Sequence, residues 1–281
     1  MNAATALSPP SAAAGWGFPN RATPPGSAAY YGARFAPTDL RDAVAVLFGW
    51  RGEVRRILDD VSDPGVARLK LDWWRDEIQR SMDGRPRHPL SKLLAPVLMT
   101  HALPLKPFLD QARQVENDLH TRRSADQAAQ HRALMDDRGA LFELVCRCHG
   151  TDEPARLAAA RHAGAWCEQV RRIRDGGLLL RRAREVVPED GLVAAGLQHE
   201  QLCARTTRHR LPGLLAPVGN TLIAEAPNSA DECGLPRALR IQIAIHTSLL
   251  NELARADFDV VDQRISLTPL RKLWIAWRTG R

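Results

Sequence analysis

Apolar residues recur at spacings of three and four along most of this chain, the period of an amphipathic helix. The pattern begins after Thr38 or Asp39, either of which can cap a helix that must end near Val61. No segment shows sustained period-two alternation of β-branched residues, so the sequence predicts no strands. We therefore expect one all-α domain of about ten helices over residues 28–281.

Several helix boundaries can be predicted from capping residues and prolines. Ser62 or Asp63 is expected to cap a helix that begins with Pro64, where the missing amide hydrogen costs nothing. A short helix from Leu90 to Thr100 is expected to break near Pro96. Later helices are predicted over residues 134–148, 155–180, 202–226, 235–254 and 267–277. Residues 1–27 are rich in Ala and Pro without apolar periodicity, which predicts a disordered tail.

The charge balance is dominated by arginine. The formal net charge is +7, and only four of the 39 basic residues are lysine. Arginine binds carboxylates and phosphates in a bidentate manner, so this balance suits an anionic partner, although a genome biased towards Arg and Ala codons is the favoured explanation. The basic residues form no tail or stripe, so nucleic acid is not an expected partner.

Nothing in the sequence indicates export or a membrane span. The N-terminus lacks the basic start and apolar core of a signal peptide, and no apolar run reaches about 18 residues. The odd number of cysteines predicts free thiols in a reducing compartment. We therefore expect a cytoplasmic protein. The cysteines are Cys146, Cys148, Cys167, Cys203 and Cys233.

One stretch contains the letters D-D-x-x-D, at Asp59, Asp60 and Asp63. Such a cluster can hold Mg²⁺ ions that bind a diphosphate when its carboxylates share one face of a cavity. Here the residue before Pro64 is disfavoured in a helix, so Asp63 is better placed as a cap. The other two aspartates follow Arg55 and Arg56 at spacing four, which favours surface ion pairs. We expect no metal site at these letters.

The order of segments resembles the squalene/phytoene synthase family, particularly its bacterial presqualene-diphosphate branch. The resemblance covers residues 26 to 278 and is most specific up to residue 90. The residues that carry it are Gly26-Ser27, Tyr30-Tyr31, Arg41, Glu53-Val54, Asp63-Pro64, Val66-Ala67-Arg68, Lys70-Leu71, Trp73-Trp74-Arg75, Glu77-Ile78, Gly84-Arg85-Pro86, His88-Pro89, Glu116-Asn117-Asp118-Leu119, Pro188-Glu189-Asp190 and Arg264-Ile265-Ser266-Leu267 through Lys272-Leu273.

This resemblance implies the all-α isoprenoid-synthase fold, a single helical bundle with a central cavity that binds prenyl diphosphates. It implies that Tyr30 and Tyr31 line the cavity, and that its acidic residues are Glu53, Asp59 and Asp118. It also aligns both family metal clusters with residues that are not aspartates. Those positions are Arg55 and Arg56 in the first motif, and Gly176 and Leu179-Leu180 in the second.

Arginines at metal positions change the expected chemistry. A guanidinium about 6 Å from a divalent ion, at an effective dielectric near 20, costs roughly 5 kcal/mol. The arginines can instead hold a diphosphate directly, as a clamp formed across the cavity. The alternative is that they pair with Glu53, Asp59, Asp60 and Glu168. The members of the predicted clamp are Arg55, Arg56, Arg171, Arg172 and Arg174.

Three functions follow from this interpretation. The first is a member of isoprenoid metabolism that binds a prenyl diphosphate or other isoprenoid ligand but is catalytically degenerate, with no metal and no cofactor. The second is an active prenyltransferase that condenses prenyl diphosphates head-to-head and requires Mg²⁺. The third is a non-enzymatic factor like the complex I assembly relatives of the family. No protein partner can be identified from the sequence.

The last predicted helix has one apolar face, formed by Leu270, Leu273, Trp274 and Trp277. Arg271, Lys272 and Arg278 are expected on the opposite face. Packing of the apolar face on the bundle is the favoured interpretation. The alternative is peripheral contact with the inner membrane surface.

Overall fold

The computed structural model describes residues 15–120, 123–227 and 234–279, and every regular element in these ranges is helical. The all-α prediction is therefore confirmed. The α-helices of these ranges are α1 (Ala28–Arg34), α2 (Arg41–Asp60), α3 (Pro64–Met82), α4 (Pro89–Thr100), α5 (Lys106–Leu119), α6 (Gln127–Leu134), α7 (Ala140–Cys148), α8 (Pro154–Arg174), α9 (Gly176–Arg181), α10 (Glu189–Ala194), α11 (His199–Cys203), α12 (Leu211–Ala224), α13 (Arg237–Arg255) and α14 (Pro269–Thr279).

The break between α2 and α3 follows the predicted capping chemistry. The carboxylate of Asp63 accepts a hydrogen bond from the backbone amide of Val66 at 2.8 Å, and Pro64 occupies the first helical position. Pro96, by contrast, does not break α4, so that prediction is wrong. Leu94 and Leu98 on either side of it are buried in the core, and this packing holds the helix through the lost backbone bond.

Two predicted long helices are divided in the structure. A single π turn, Met135–Gly139, separates α6 from α7 where one helix from residue 134 was expected. The predicted helix over 202–226 consists of α11, a 3₁₀ turn at Arg208–Arg210, and α12. Pro212 lies in the first turn of α12, a position where proline starts a helix rather than continuing one.

Residues 15–27 pack against α2, so the prediction of disorder is wrong for this part of the N-terminal segment. The side-chain amide of Asn20 donates to the carbonyl of Ala45 at 2.8 Å and to that of Trp16 at 3.0 Å. The ring of Phe18 stacks on Tyr30 with centroids 5.2 Å apart. Residues 1–14 and Cys233 lie outside the described residues.

Glycines let three segments of backbone approach each other closely around the site described below. A Cβ on Gly164 of α8 would lie 2.6 Å from the carbonyl oxygen of Arg138 in the π turn. A Cβ on Gly177 of α9 would lie 2.3 Å from the carbonyl oxygen of Val260. These contacts bring the π turn against the middle of α8 and the loop before α14 against α9.

The final helix packs on the bundle through the side opposite to its apolar face. Ile275 and Ala276 are buried, whereas Leu270 is 79% exposed and Trp274 is 54% exposed. Lys272 lies one turn before Ala276, so it points inward as well. The favoured prediction, that the apolar face packs on the bundle, is therefore wrong.

Candidate anion-binding site

Two arginines one turn apart on α2 meet a buried aspartate of the π turn. Arg51 forms a bidentate pair with Asp137, with nitrogen–oxygen distances of 2.7 and 2.6 Å. Arg55 Nη1 lies 2.9 Å from the same carboxylate and 3.3 Å from that of Asp118 on α5. Asp137 is 1% exposed, so these ion pairs are largely shielded from water.

Glu168 of α8 connects these pairs to the next group of arginines. Its carboxylate lies 3.3 Å from Arg51 Nη2 and 3.5 Å from Arg138 Nη1. It also forms a bidentate pair with Arg171, one turn along α8. Glu168 is 1% exposed. One carboxylate therefore joins guanidinium groups from α2, the π turn and α8.

Three arginines converge on a single carboxylate where α8 ends. Asp175 accepts from Arg174 at 2.7 and 2.9 Å, from Arg171 at 3.2 Å and from Arg264 at 2.9 Å. Arg264 comes from the loop before α14 and is 62% exposed in its side chain. This end of the ion-pair network therefore opens to solvent.

Lys272 of α14 completes this open end. Its ammonium donates to the carbonyl of Gly26 at 2.9 Å. Partial burial lowers the pKa of Lys272, and repulsion from Arg174 and Arg264 lowers it further. Besides burial, the charges that lower this pKa are both cationic.

We refer to these ionic side chains together as the basic cluster. It contains seven cations and four carboxylates, an excess of three positive charges. Most of this excess lies at the open end, where Asp175 is the local carboxylate. The members are Arg51, Arg55, Arg138, Arg171, Arg174, Arg264 and Lys272, with Asp118, Asp137, Glu168 and Asp175.

The buried carboxylates remain ionised because their partners outweigh the cost of burial. Burial alone would raise the pKa of Asp137, but Arg51 and Arg55 hold it below its usual value. Burial acts in the same way on Glu168, whose pKa Arg171 and Arg51 hold well below the ordinary range. Each of these carboxylates therefore neutralises part of the arginine charge at neutral pH.

The inner end of the cluster reaches the core through Arg138. Its guanidinium lies 5.5 Å from the ring centroid of Phe142 and donates to Gln242 at 2.6 Å. Burial lowers the pKa of Arg138 to about 10, so it remains charged at neutral pH. Burial also lowers the pKa of the neighbouring His246 to about 3, which leaves that imidazole neutral. The positive charge at this depth is thus carried by Arg138.

The structure brings together three of the five arginines predicted to form a clamp. Arg55, Arg171 and Arg174 belong to the basic cluster, but Arg56 and Arg172 do not. Arg56 pairs along its own helix with Glu53 at 2.8 Å and with Asp60 at 2.8 Å. Consecutive helical residues point in different directions, so Arg55 and Arg56 cannot share a face.

Arg172 is directed away from the cluster for the same reason. It donates to the backbone carbonyl of Glu185 at 2.7 Å.

Of the predicted acidic residues, Asp118 lies beside Arg55. Asp59 is 45% exposed in its side chain and pairs with Arg182 and Arg184 at 3.1 and 2.7 Å, rather than with Arg55. Glu53 pairs with Arg56 outside the cluster, as described above.

The two predicted cavity tyrosines have different environments. Tyr31 is buried, and its hydroxyl donates to the carbonyl of Pro269 at 2.9 Å, which ties α1 to the start of α14. Tyr30 is half-buried beneath Phe18.

On the outer side of α2, two surface pockets of about 200 and 230 Å³ lie on either side of Glu53 and Arg56. No member of the basic cluster lines either pocket.

Seven members of the basic cluster were not predicted as site residues, namely Arg51, Asp137, Arg138, Glu168, Asp175, Arg264 and Lys272. Arg51 precedes Arg55 by one helical turn, and this spacing could have identified it. Asp137 and Arg138 carry no recognisable motif because the π turn sets their direction. Lys272 was assigned to the outer face of α14, since the apolar stripe of this helix was assumed to face the bundle.

The donor set of the basic cluster does not fit a divalent cation. Asp137 and Glu168 each lie within 3.5 Å of at least two guanidinium groups, so their oxygens already have cationic partners. A metal ion placed there would be repelled by an excess of positive charge. Within the described ranges, no group of three or more His, Cys, Asp and Glu is arranged to hold a metal ion.

Helices long and apolar enough to cross a membrane are absent from the described part of the chain.

Comparisons with known proteins agree on one family. The model of the family described as squalene/phytoene synthase matches residues 23–271. A presqualene diphosphate synthase of Sinorhizobium fredii (strain NBRC 101917 / NGR234) is 26% identical over 270 residues, covering 92% of this chain and 95% of that protein. A crystal structure of a dehydrosqualene synthase in complex with a ligand superimposes with a TM-score of 0.73 over 90% of both chains, at 16% identity.

A chloroplastic phytoene synthase 1 of Arabidopsis thaliana is 23% identical over 181 residues. The match covers 62% of this chain and 43% of the plant protein. The chain thus spans less than half the length of this relative.

Proposed function

Because the chain belongs to the squalene/phytoene synthase family, we propose that it binds a prenyl diphosphate through the basic cluster without a divalent metal. In this proposal the guanidinium and ammonium groups supply the positive charge that the diphosphate requires. The protein is then catalytically degenerate with respect to metal-assisted ionisation of the diphosphate. The ligand class comes from the family, and the absence of a metal requirement comes from the charges of the site.

The excess of three positive charges in the basic cluster is the observation that carries this proposal. Buried or half-buried cations are costly without counter-ions, and here the carboxylates are too few to neutralise them. A diphosphate carries several negative charges and many acceptor oxygens. It would therefore offset the excess and accept charge-assisted hydrogen bonds worth ~1.5–3 kcal/mol each.

The open end is the part of the cluster where such a ligand would bind. Arg264 is 62% exposed in its side chain, and the pKa of Lys272 is lowered first by burial and then by repulsion from Arg174 and Arg264. Arg51 and Arg55 lie deeper and are already engaged by Asp137. We therefore expect Arg174, Arg264 and Lys272 to contact the diphosphate. The deeper arginines are expected to contribute to binding mainly by long-range electrostatic attraction.

The test is binding of a non-hydrolysable farnesyl diphosphate analogue, measured by calorimetry in EDTA and again in Mg²⁺. We expect similar dissociation constants under both conditions. Lys272→Met and Arg264→Met should each weaken binding by ~10-fold, since ~1.4 kcal/mol corresponds to a factor of ten. Arg56→Met and Arg172→Met are matched controls outside the cluster, and they should bind as the wild type does.

Two outcomes would contradict this proposal. Absence of binding at millimolar analogue would show that the cluster is only structural. Turnover of farnesyl diphosphate that requires Mg²⁺ would show an active head-to-head synthase, with a metal site that the ion pairs do not reveal.

A further inference from the structure

The exposed side of α14 combines large apolar side chains with cationic ones. Leu270 is 79% exposed, Leu273 is 43% exposed and Trp274 is 54% exposed. Leu273 and Trp274 follow Leu270 by three and four residues, so both lie on the same side of the helix as Leu270. Trp277, 45% exposed, extends the same face by one turn. The helix thus presents a continuous apolar strip at the protein surface.

Cations of α14 lie beside this strip. The sequence of α14 contains Arg271, Lys272 and Arg278 but no Asp or Glu. Arg278 holds its guanidinium 5.4 Å from the ring centroid of Trp274, so charge and aromatic surface are directly adjacent. Arg271 is 44% exposed in its side chain and lies 2.6 Å from Glu252 of α13.

We propose that this side of α14 docks on an anionic lipid surface. Leucine and tryptophan side chains would enter the boundary between headgroups and acyl chains, where tryptophan is favoured. Arg278 and Arg271 would lie at the level of the lipid phosphates. A helix with basic residues flanking a Leu/Trp face has the composition of an interfacial helix.

A second copy of the chain fits this surface less well than a lipid surface. The helix has 11 residues, and at 1.5 Å per residue its exposed side spans only about 16 Å by 10 Å. Stable protein interfaces bury on the order of 800 Å² per partner, several times this area. A symmetric pairing would also place the Arg271 and Arg278 side chains of two copies close together, where like charges repel. An anionic bilayer has neither disadvantage.

Docking would also orient the basic cluster relative to the bilayer. Lys272 lies on the inner side of the same helix, and Arg264 precedes α14 by a few residues. The open end of the cluster would therefore lie near the lipid surface. The lipid-binding inference itself depends only on α14 and does not require that the cluster bind a diphosphate.

Co-sedimentation of the full chain with unilamellar vesicles tests this inference without any isoprenoid ligand. We expect binding to vesicles of equal parts phosphatidylglycerol and phosphatidylcholine, little binding to pure phosphatidylcholine, and loss of binding at high salt. Leu270→Ser combined with Trp274→Ser should lower the partition coefficient at least tenfold. Arg278→Glu should lower it several-fold.

Matched controls separate this helix from exposed apolar or basic residues in general. Leu69→Ser removes an exposed leucine of α3, 70% exposed, and Arg85→Glu reverses an exposed charge after that helix. Both should bind vesicles as the wild type does, and all variants are checked for a native helical circular dichroism spectrum and melting temperature.

Three results would overturn the inference. The first is failure of the wild type to bind anionic vesicles at low salt. Equal binding by the Leu270/Trp274 variant would place the contact elsewhere. Self-association in sedimentation velocity that is lost in this variant, without vesicle binding, would show that a second copy occupies the face.

Discussion

Substitution of Asp137 by asparagine removes the charge that holds two arginines of α2 in place. At an effective dielectric near 20, charges about 4 Å apart attract by ~4 kcal/mol. The nearest nitrogens of Arg51 and Arg55 lie 2.6 and 2.9 Å from the Asp137 carboxylate. Repulsion from Glu168 and the cost of burying the carboxylate offset part of this attraction. We expect Asp137→Asn to lower the free energy of unfolding by ~3 kcal/mol at neutral pH.

This effect should depend on pH with a defined sign. The native pKa of Asp137 lies below its usual value, so the native protein keeps the carboxylate charged to a lower pH than the unfolded chain does. Its stabilisation is therefore complete above pH ~4 and is lost as the pH falls through the native pKa. The difference between wild type and Asp137→Asn should shrink below pH ~4.

Urea unfolding followed by circular dichroism at several pH values measures both quantities. Asp60→Asn is the control, because Asp60 is 46% exposed in its side chain and pairs with Arg56 along α2. Its effect should stay within ~0.5 kcal/mol. A loss below ~1 kcal/mol for Asp137→Asn, or a loss that does not change with pH, would refute the reasoning about the buried pairs.

The same substitution raises the cationic excess of the basic cluster from three charges to four. Pyrophosphate in EDTA should therefore stabilise Asp137→Asn more than it stabilises the wild type, by linkage between binding and folding. Equal stabilisation of the two proteins would indicate that the anion binds outside the basic cluster.

Three further predictions test local features of the fold. Asp63→Ala should lower the unfolding free energy by ~1 kcal/mol through loss of the α3 cap and leave any response to Mg²⁺ unchanged; no destabilisation would contradict the capping assignment. Gly177→Ala should destabilise by ~1–3 kcal/mol, because its Cβ would lie 2.3 Å from a facing carbonyl oxygen, whereas Gly213→Ala, with no neighbour within 4 Å, should not; similar melting temperatures would show that the backbone relaxes freely. Alkylation mapped by mass spectrometry should modify Cys203 before Cys146, whose pKa burial raises to about 12; the reverse order would contradict the assigned burial.

Helical periodicity predicted the fold class because the spacing of apolar residues reflects which side of each helix is buried in the bundle. The same rule explains where the site prediction was wrong. Arg55 and Arg56 were grouped because the family resemblance aligns both with the first metal motif, but a helix separates adjacent residues by ~100°. Spacing four identifies Arg51 with Arg55, which the structure shows on one carboxylate.

The remaining errors concern information that is not local in the sequence. The direction of Asp137 and Arg138 depends on a π turn, which bulges the helix and has no strong residue signature. The orientation of α14 was inverted because its more apolar side is exposed and its inner side includes Lys272. Periodicity identifies two faces of a helix, but it cannot determine which face the bundle covers when the other has a different use.

We propose that cations of the protein replace a metal ion in binding a diphosphate. Calorimetric titration with pyrophosphate tests this central claim most directly. The titration is performed in EDTA and in excess Mg²⁺, with wild type and with Lys272→Met. We expect the wild type to bind in EDTA with an affinity at least equal to that in Mg²⁺, and Lys272→Met to bind ~10-fold more weakly in both. Binding that appears only when Mg²⁺ is present would contradict the claim.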